Sequence, residues 1–445
     1  MADLEMDLIA HLYRRAGFGP SRHDLAAGRS AGYEATRDAL LASALDPGVD
    51  QKTEDLIEPY TRDFDFSKID DVRSWWYLRM VYCPAPLREK MTLFWHGHFA
   101  TAVSKVENAD WMYQQNQLFR KKGLGSFRDL LLAVSQDPAM LIWLDGNSNK
   151  KGRPNENYAR EVMELFTMGI GNYTEQDVRE GARAFTGWFV DGSGSFYFNV
   201  AQHDNGVKTF LGQTSKFNGT DIVDILAMQP ATARFISRKL FTFFVHDNPT
   251  DADIDALAKV YFANNTDIGA VVTAIFKSPA FSAKAAYLAK IKSPAEFIVG
   301  AIKALPGQFA PVGMLPAFRL MGQDLFEPPN VKGWPGGLDW VSTITMLTRM
   351  NFGNSMISAR PGSGFGNGLD LNTFSLTAAI DDPGAYVDYV LDAMGSVPVT
   401  ADTRQQMIAY MEAPAGLNSL PRQQLDMKTR GLIHLIMSTA EYQMA

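Results

Sequence analysis

The chain has a single cysteine, Cys83, among 445 residues. One cysteine excludes an internal disulfide and any zinc cluster built on thiolates. Beside Pro84 and Pro86 that thiol reads as inert rather than nucleophilic. Surplus basic charge is missing too: 42 Lys and Arg stand against 49 Asp and Glu, a net charge of −7. With no excess of cations to neutralise phosphates, a general nucleic-acid binder is excluded. The one basic run, Arg120-Lys121-Lys122, reads as a helix end. No uncharged apolar run reaches the roughly 18 residues of a membrane-spanning helix. The N-terminal MADLEMDLIAHLYRRAGF lacks a basic flank followed by a long apolar core, so no secretion signal is visible. The expected location is the cytoplasm, or the exterior if a signal has been removed. Familiar site motifs are absent as well. There is no GxxxxGK[ST] and no GxGxxG after a strand, no HExxH and no GxSxG, which leaves nucleotide binding, the common zinc-protease helix and a serine-hydrolase elbow without support.

What is present is ordinary globular composition, 46% hydrophobic and 20% charged, with helical periodicity dominant. The expected fold is mostly α, one large multi-helix domain over residues 1–445 with one small β-hairpin. WFVDGSGSFYFNV predicts that hairpin near 188–200, with Gly192 and Gly194 at the turn. Helices are expected at 4–16, 31–44, 67–82, 86–99, 107–122, 125–136 and 137–144, then from 221 to 305 and again from 383 to 440. The stretch 48–66 reads as an irregular surface connection and 354–372 as a mobile Gly/Ser-rich loop. Residues 321–340 read as an ordered loop, because Trp334 and Trp340 need somewhere to pack.

The most charged stretch is RPNENYAREVMELFTMGIGNYTEQDVREGARAFTGW, residues 153–188. Pro154 and Asn155 start a helix that runs to about Thr167, ended by Gly169 and Gly171. Glu156, Arg160 and Glu164 stack four residues apart, with Asn157 and Glu161 on the same side. Thr174 and Asp177 cap a second helix. The bland explanation is a solvated face held by weak ion pairs, each worth about 0.2–0.5 kcal/mol. The sharper one is a site wall, with carboxylates ordered by arginines. Histidines at 96 and 98 need a break at Gly97 to converge, since residues two apart share a face only in extended chain. His203, Asp204 and Lys208 sit in a glycine-rich loop, where function is often carried.

Five ordered motifs, HLYRRAGFGPS at 11–21, REKMTLFWHGHFAT at 88–101, NENYAREVMELFTMGIGNYTEQDVREGARAFTGW at 155–188, HDNGVKTFLG at 203–212 and FEPPNVKGWPGG at 326–337, resemble the bacterial family called domain of unknown function 1800. The resemblance covers about residues 8–440. It implies a largely helical fold and no assigned activity or cofactor; many members look exported. Its motif residues fall here on His96, His98, Asn155, Glu156, Arg160, Glu161, Glu164, Trp188, His203, Asp204, Lys208, Lys332 and Trp334.

Three readings follow. A glycan hydrolase needs two carboxyl groups, one protonated and one ionised. Glu156 or Glu161 would be the acid and Glu164 or Asp204 the base or nucleophile, tuned by Arg160 and His98. Asp324 is a further carboxylate candidate. His96, Asn155, Asn157, Trp188, His203, Lys208, Lys332 and Trp334 would contact the carbohydrate. A metal site would draw on His96, His98 and His203 with a central glutamate, for hydrolysis or oxidation. A non-enzymatic helical scaffold is the third. The first two require a cleft formed by 96–98, 155–168, 203–208 and 326–337.

Overall fold

The computed structural model describes residues 6–305, 307–308, 312–359, 368–369, 380–413 and 415–445. Its helices begin where short polar side chains satisfy the orphan N–H groups of a first turn. Ser21, Thr174, Asn218, Thr250 and Ser293 each form a reciprocal capping box with an acid three residues on. The fold is mostly α, as expected, with small antiparallel strand pairs. Trp188–Val190 pairs with Phe196–Phe198 in the expected hairpin. Among the described residues no helix is long and apolar enough to cross a membrane.

Four expectations need correction. The 48–66 stretch is a helix, Val49–Thr61, because Val49, Thr53 and Ile57 recur every four residues and are buried. The central helix is not uniform: an α segment Asn157–Glu161 widens into a π turn, Val162–Thr167. Spacing at 100° per residue therefore fails beyond Glu161. The glycine-rich loop holds a second hairpin, Lys208–Phe210 with Gln213–Ser215. The proposed mobile loop loses its first residues to the helix Thr343–Ser358; most of the remainder, 360–367 and 370–372, lies outside the described residues.

Two apolar cores meet along one helix. The first gathers Leu12, Trp95, Phe127, Phe166, Phe241 and Tyr261; the second gathers Trp75, Trp76, Phe297, Phe326, Phe352 and Tyr442. Helix Pro86–His98 gives Leu87, Met91, Phe94 and Trp95 to the first and Leu93 to the second. Burying each large apolar side chain contributes about 1.5–3 kcal/mol. Because this helix is buried on nearly every side, its Glu89, Lys90, His96 and His98 must find partners inside the protein or go without. Which of them are answered, and by what, decides where the site lies.

Candidate functional site

At the seam of the two cores lies a cleft of about 490 Å³, within the range of small-molecule sites. One wall is the end of helix Pro86–His98, with Phe94, Gly97 and His98. The second is helix Pro230–Phe244, with Lys239, Thr242 and Phe243. The third is the 332–340 loop, with Lys332, Trp334 and Trp340. That loop can approach because Gly333 has φ +87° and no side chain: a Cβ there would fall 2.0 Å from the Gly97 carbonyl oxygen. Farther back, Phe326 packs its ring against Trp76 and His96 and anchors the loop. The expected ordered loop is therefore held by Phe326 as much as by its tryptophans.

The chemistry of the cleft centres on Lys239 and His98. His98 Nε2 lies 3.0 Å from the Phe166 carbonyl, which can only accept, so Nε2 carries the proton. Phe166 is in the last helical turn, where carbonyls lack partners within the helix. Nδ1 is then an acceptor, and Lys239 Nζ donates to it at 3.0 Å. Burial, reinforced by the Lys239 charge and only partly offset by the Phe166 carbonyl, holds His98 neutral. Burial also brings Lys239 down to about 8. Among the described residues no carboxylate is paired with it.

The carboxylates of the cleft are matched. Glu296 binds Lys90 and accepts from the Ser293 N–H at 2.7 Å. Asp247 binds Lys290. Arg15 donates to the Phe244 and Val245 carbonyls at 2.8 and 2.5 Å. Lys239, with exposed Lys332 at the rim, leaves the cleft with unspent positive charge between aromatic walls. Lys332 also acts on Glu161, whose carboxyl is raised by burial and by Glu164, against the pull of Arg160 and Lys332. Tyr173 donates to Glu164 at 2.7 Å. A carboxylate pair thus stands beside the rim, outside the residues that line the cleft.

The remaining residues singled out by sequence are placed as follows. Helix Pro86–His98 runs unbroken through Gly97, so His96 and His98 diverge. His96 is enclosed by Trp76, Phe119, Phe326 and Trp334; neither of its ring nitrogens has a partner, and burial lowers it to about 3. His203 Nδ1 faces the Thr186 carbonyl at 2.9 Å. The three histidines do not converge, and no group of three or more His, Cys, Asp or Glu is placed to hold a metal among the described residues. Asp204 is engaged by Arg183 at 2.8 Å, which holds it down to about 2. Lys208 turns inward onto the Asp204 and Gly206 carbonyls at 2.5 and 3.1 Å. The 203–208 loop therefore does not line the cleft expected of it; its polar groups close on one another.

Glu156 and Arg160 lie on the outer face, where Arg160 reaches Glu175 at 2.7 Å and Glu156 at 3.2 Å. Asn155 accepts from the Asn157 N–H at 2.9 Å in a local turn, and Asn157 donates to Asp145, twelve residues earlier, at 2.9 Å. Trp188 packs in the first core against Phe185 and Phe196. Asp324 binds Arg319. Of the expected residues, His98, Lys332 and Trp334 line the cleft. Sequence reasoning missed Lys239, yet a signal existed: Phe235, Lys239 and Phe243 recur every four residues, a lysine set in an aromatic stripe.

Fold and site together define a largely helical protein with a cation-bearing, aromatic-walled cleft between two cores. The chain belongs to the family described as protein of unknown function (DUF1800), which matches residues 11–444. No curated protein and no solved structure matches it.

Proposed function

We propose that the protein is an enzyme whose cleft binds an acidic organic substrate and moves a proton on it. The observation that carries this reading is Lys239: half-buried, paired with no carboxylate among the described residues, and hydrogen-bonded to a neutral imidazole. Near neutral pH a fraction of such amines is unprotonated. The bond to His98 uses one N–H and leaves the rest of the nitrogen to the cleft, as a general base requires. His98 acts as a positioning residue, locked by the Phe166 carbonyl. Lys332 supplies a second charge for the anionic group, while Phe243, Trp334 and Trp340 face the apolar or ring-bearing part. The test is binding and turnover of a panel of organic carboxylates by the full chain. Lys239→Met is expected to lose binding at least tenfold and to remove a pH dependence centred near 8; a variant that binds and turns over unchanged overturns the assignment.

A second reading, hydrolysis of an acidic glycan, is favoured by Glu161 and Glu164. One carboxyl is raised towards the protonated state and the other accepts a tyrosine hydroxyl, the asymmetry that acid and base roles need. A sugar chain passing the rim at Lys332 would meet this pair. Release of reducing ends from uronate-containing oligosaccharides, lost by about 100-fold or more in Glu161→Gln, supports it. No release from any such substrate removes it.

A further inference from the structure

Behind the cleft lies a second, small cavity of about 20 Å³, lined by Arg14, Phe18, Leu288, Lys292, Met394 and Tyr442 among others. Its two cations are deeply buried, Arg14 at 5% and Lys292 at 8% exposure. Arg14 Nη1 donates to the Gly395 carbonyl at 3.0 Å, but Nε and Nη2 have no partner. Lys292 Nζ donates to the Tyr442 carbonyl at 2.8 Å and lies 4.1 Å above that ring. The nearest acids act on the two cations only from a distance: Asp7 is bound directly to Arg29, and Glu296 to Lys90. Glu441, the acid among the lining residues, acts on neither cation. Two cationic groups are therefore buried around one small space: Lys292, brought down to about 7 by burial, and Arg14, whose guanidinium has Tyr287 beside it but no hydrogen bond formed at Nε or Nη2 among the described residues. Buried charges are retained when paired, and unmet donors are costly.

We propose that this cavity is a binding site for a single monatomic anion, chloride, held by Arg14 Nε and Nη2 and by the charge of Lys292. The volume decides the size class, since it admits a particle about as large as one water and excludes phosphate, sulfate or an organic carboxylate. The site bears on the cleft through the chain. Leu288 and Lys292 face the cavity, whereas Lys290, Ile291 and Ser293 of the same segment line the cleft. That segment is tied to the C-terminal residues by an Ile291–Met444 bridge and by the Ala445 N–H, which donates to the Lys290 carbonyl at 2.7 Å. An anion on Arg14 and Lys292 would fasten both strands of this contact from behind.

The experiment exchanges gluconate for chloride at constant ionic strength and follows the Tm of the full chain; gluconate is too large to enter. The expected result is a saturable rise of about 2 °C with chloride. A crystal grown in bromide should show an anomalous peak within hydrogen-bond distance of Arg14 Nε or Nη2. Arg14→Met should lose both signals, and Lys292→Met should do so if Arg14→Met does not fold. Equal Tm in the two salts, a variant that keeps the chloride rise, or water alone at the cavity overturns the proposal. A bromide peak without a chloride-dependent Tm is an adventitious ion only and overturns it equally.

Discussion

The two ends of helix Pro86–His98 handle buried polar groups in opposite ways. Near its start, Glu89 is fully enclosed by Arg79 and Arg120. Arg79 Nε donates at 2.9 Å, Arg120 Nε at 2.7 Å and Arg120 Nη2 at 2.9 Å. Arg79 continues to Asp50 and Glu54, so every charge in that knot is answered. Near the helix end, His98 meets Lys239, a cation that among the described residues is answered by neutral rings, the His98 imidazole and the face of Phe235. The difference separates structure from function on physical grounds. A saturated network has nothing left to offer a ligand, while an unmatched charge at a cleft wall is a cost that a substrate can relieve.

The sharpest way to break this contrast is Glu89→Gln. It leaves buried Arg120 without its anion and Arg79 with Asp50 and Glu54 alone, and a loss of about 3–5 kcal/mol is expected in chemical denaturation. A loss below about 1 kcal/mol would mean that the knot is no anchor. The acid limb should report the same residue. Burial pushes the Glu89 carboxyl up, but Arg120 and Arg79 outweigh it and bring it down to about 2. Its contribution is thus fully present above the unfolded carboxylate range near 4.5, and it is lost as pH falls from there through about 2. Glu89→Gln should flatten stability across that window.

At the other end, Gly333→Ala should cost about 1–3 kcal/mol, because φ is positive and the new Cβ collides with the Gly97 carbonyl. The cleft should suffer with it, read as weaker binding of whichever carboxylate the panel identifies. Unchanged stability would show that the loop does not rest on Gly97. Lys239→Met removes an unpaired cation but strands the buried His98 Nδ1 acceptor, so the net change in stability should be small, within about 1 kcal/mol, while anion binding falls. The base limb checks the sign. Lys239 falls from 10.5 to about 8 on folding, so the unfolded chain binds more protons between those values. Stability rises with pH across that interval, and the rise should vanish in Lys239→Met. The smallest effect belongs to Arg160→Ala on the outer face, where exposed ion pairs contribute little. Its unfolding midpoint should stay within error of the parent, and a clear drop would make that face more than solvated.

Much of the architecture was legible beforehand because it rests on local rules. The cap at Thr174, the hairpin after Trp188 and the apolar stripes of most helices are written within a dozen residues. The helix at Val49–Thr61 was hidden by its polar composition, since three buried positions in thirteen residues carry it. The site was legible only in part. His98, Lys332 and Trp334 could be singled out, yet nothing nearby in the chain says that His98 bonds to Lys239, 141 residues away.

By itself the sequence determined the helical class, the family and a shortlist of polar residues, because periodicity and motif order act at short range. Tertiary structure alone decided which of them matter together. The π turn stops the carboxylates from stacking as one stripe, unbroken helix at Gly97 turns His96 away from His98, and Arg183 closes off Asp204. Whether a polar group is spent or available depends on partners brought from distant segments, and that is settled only when the two cores pack.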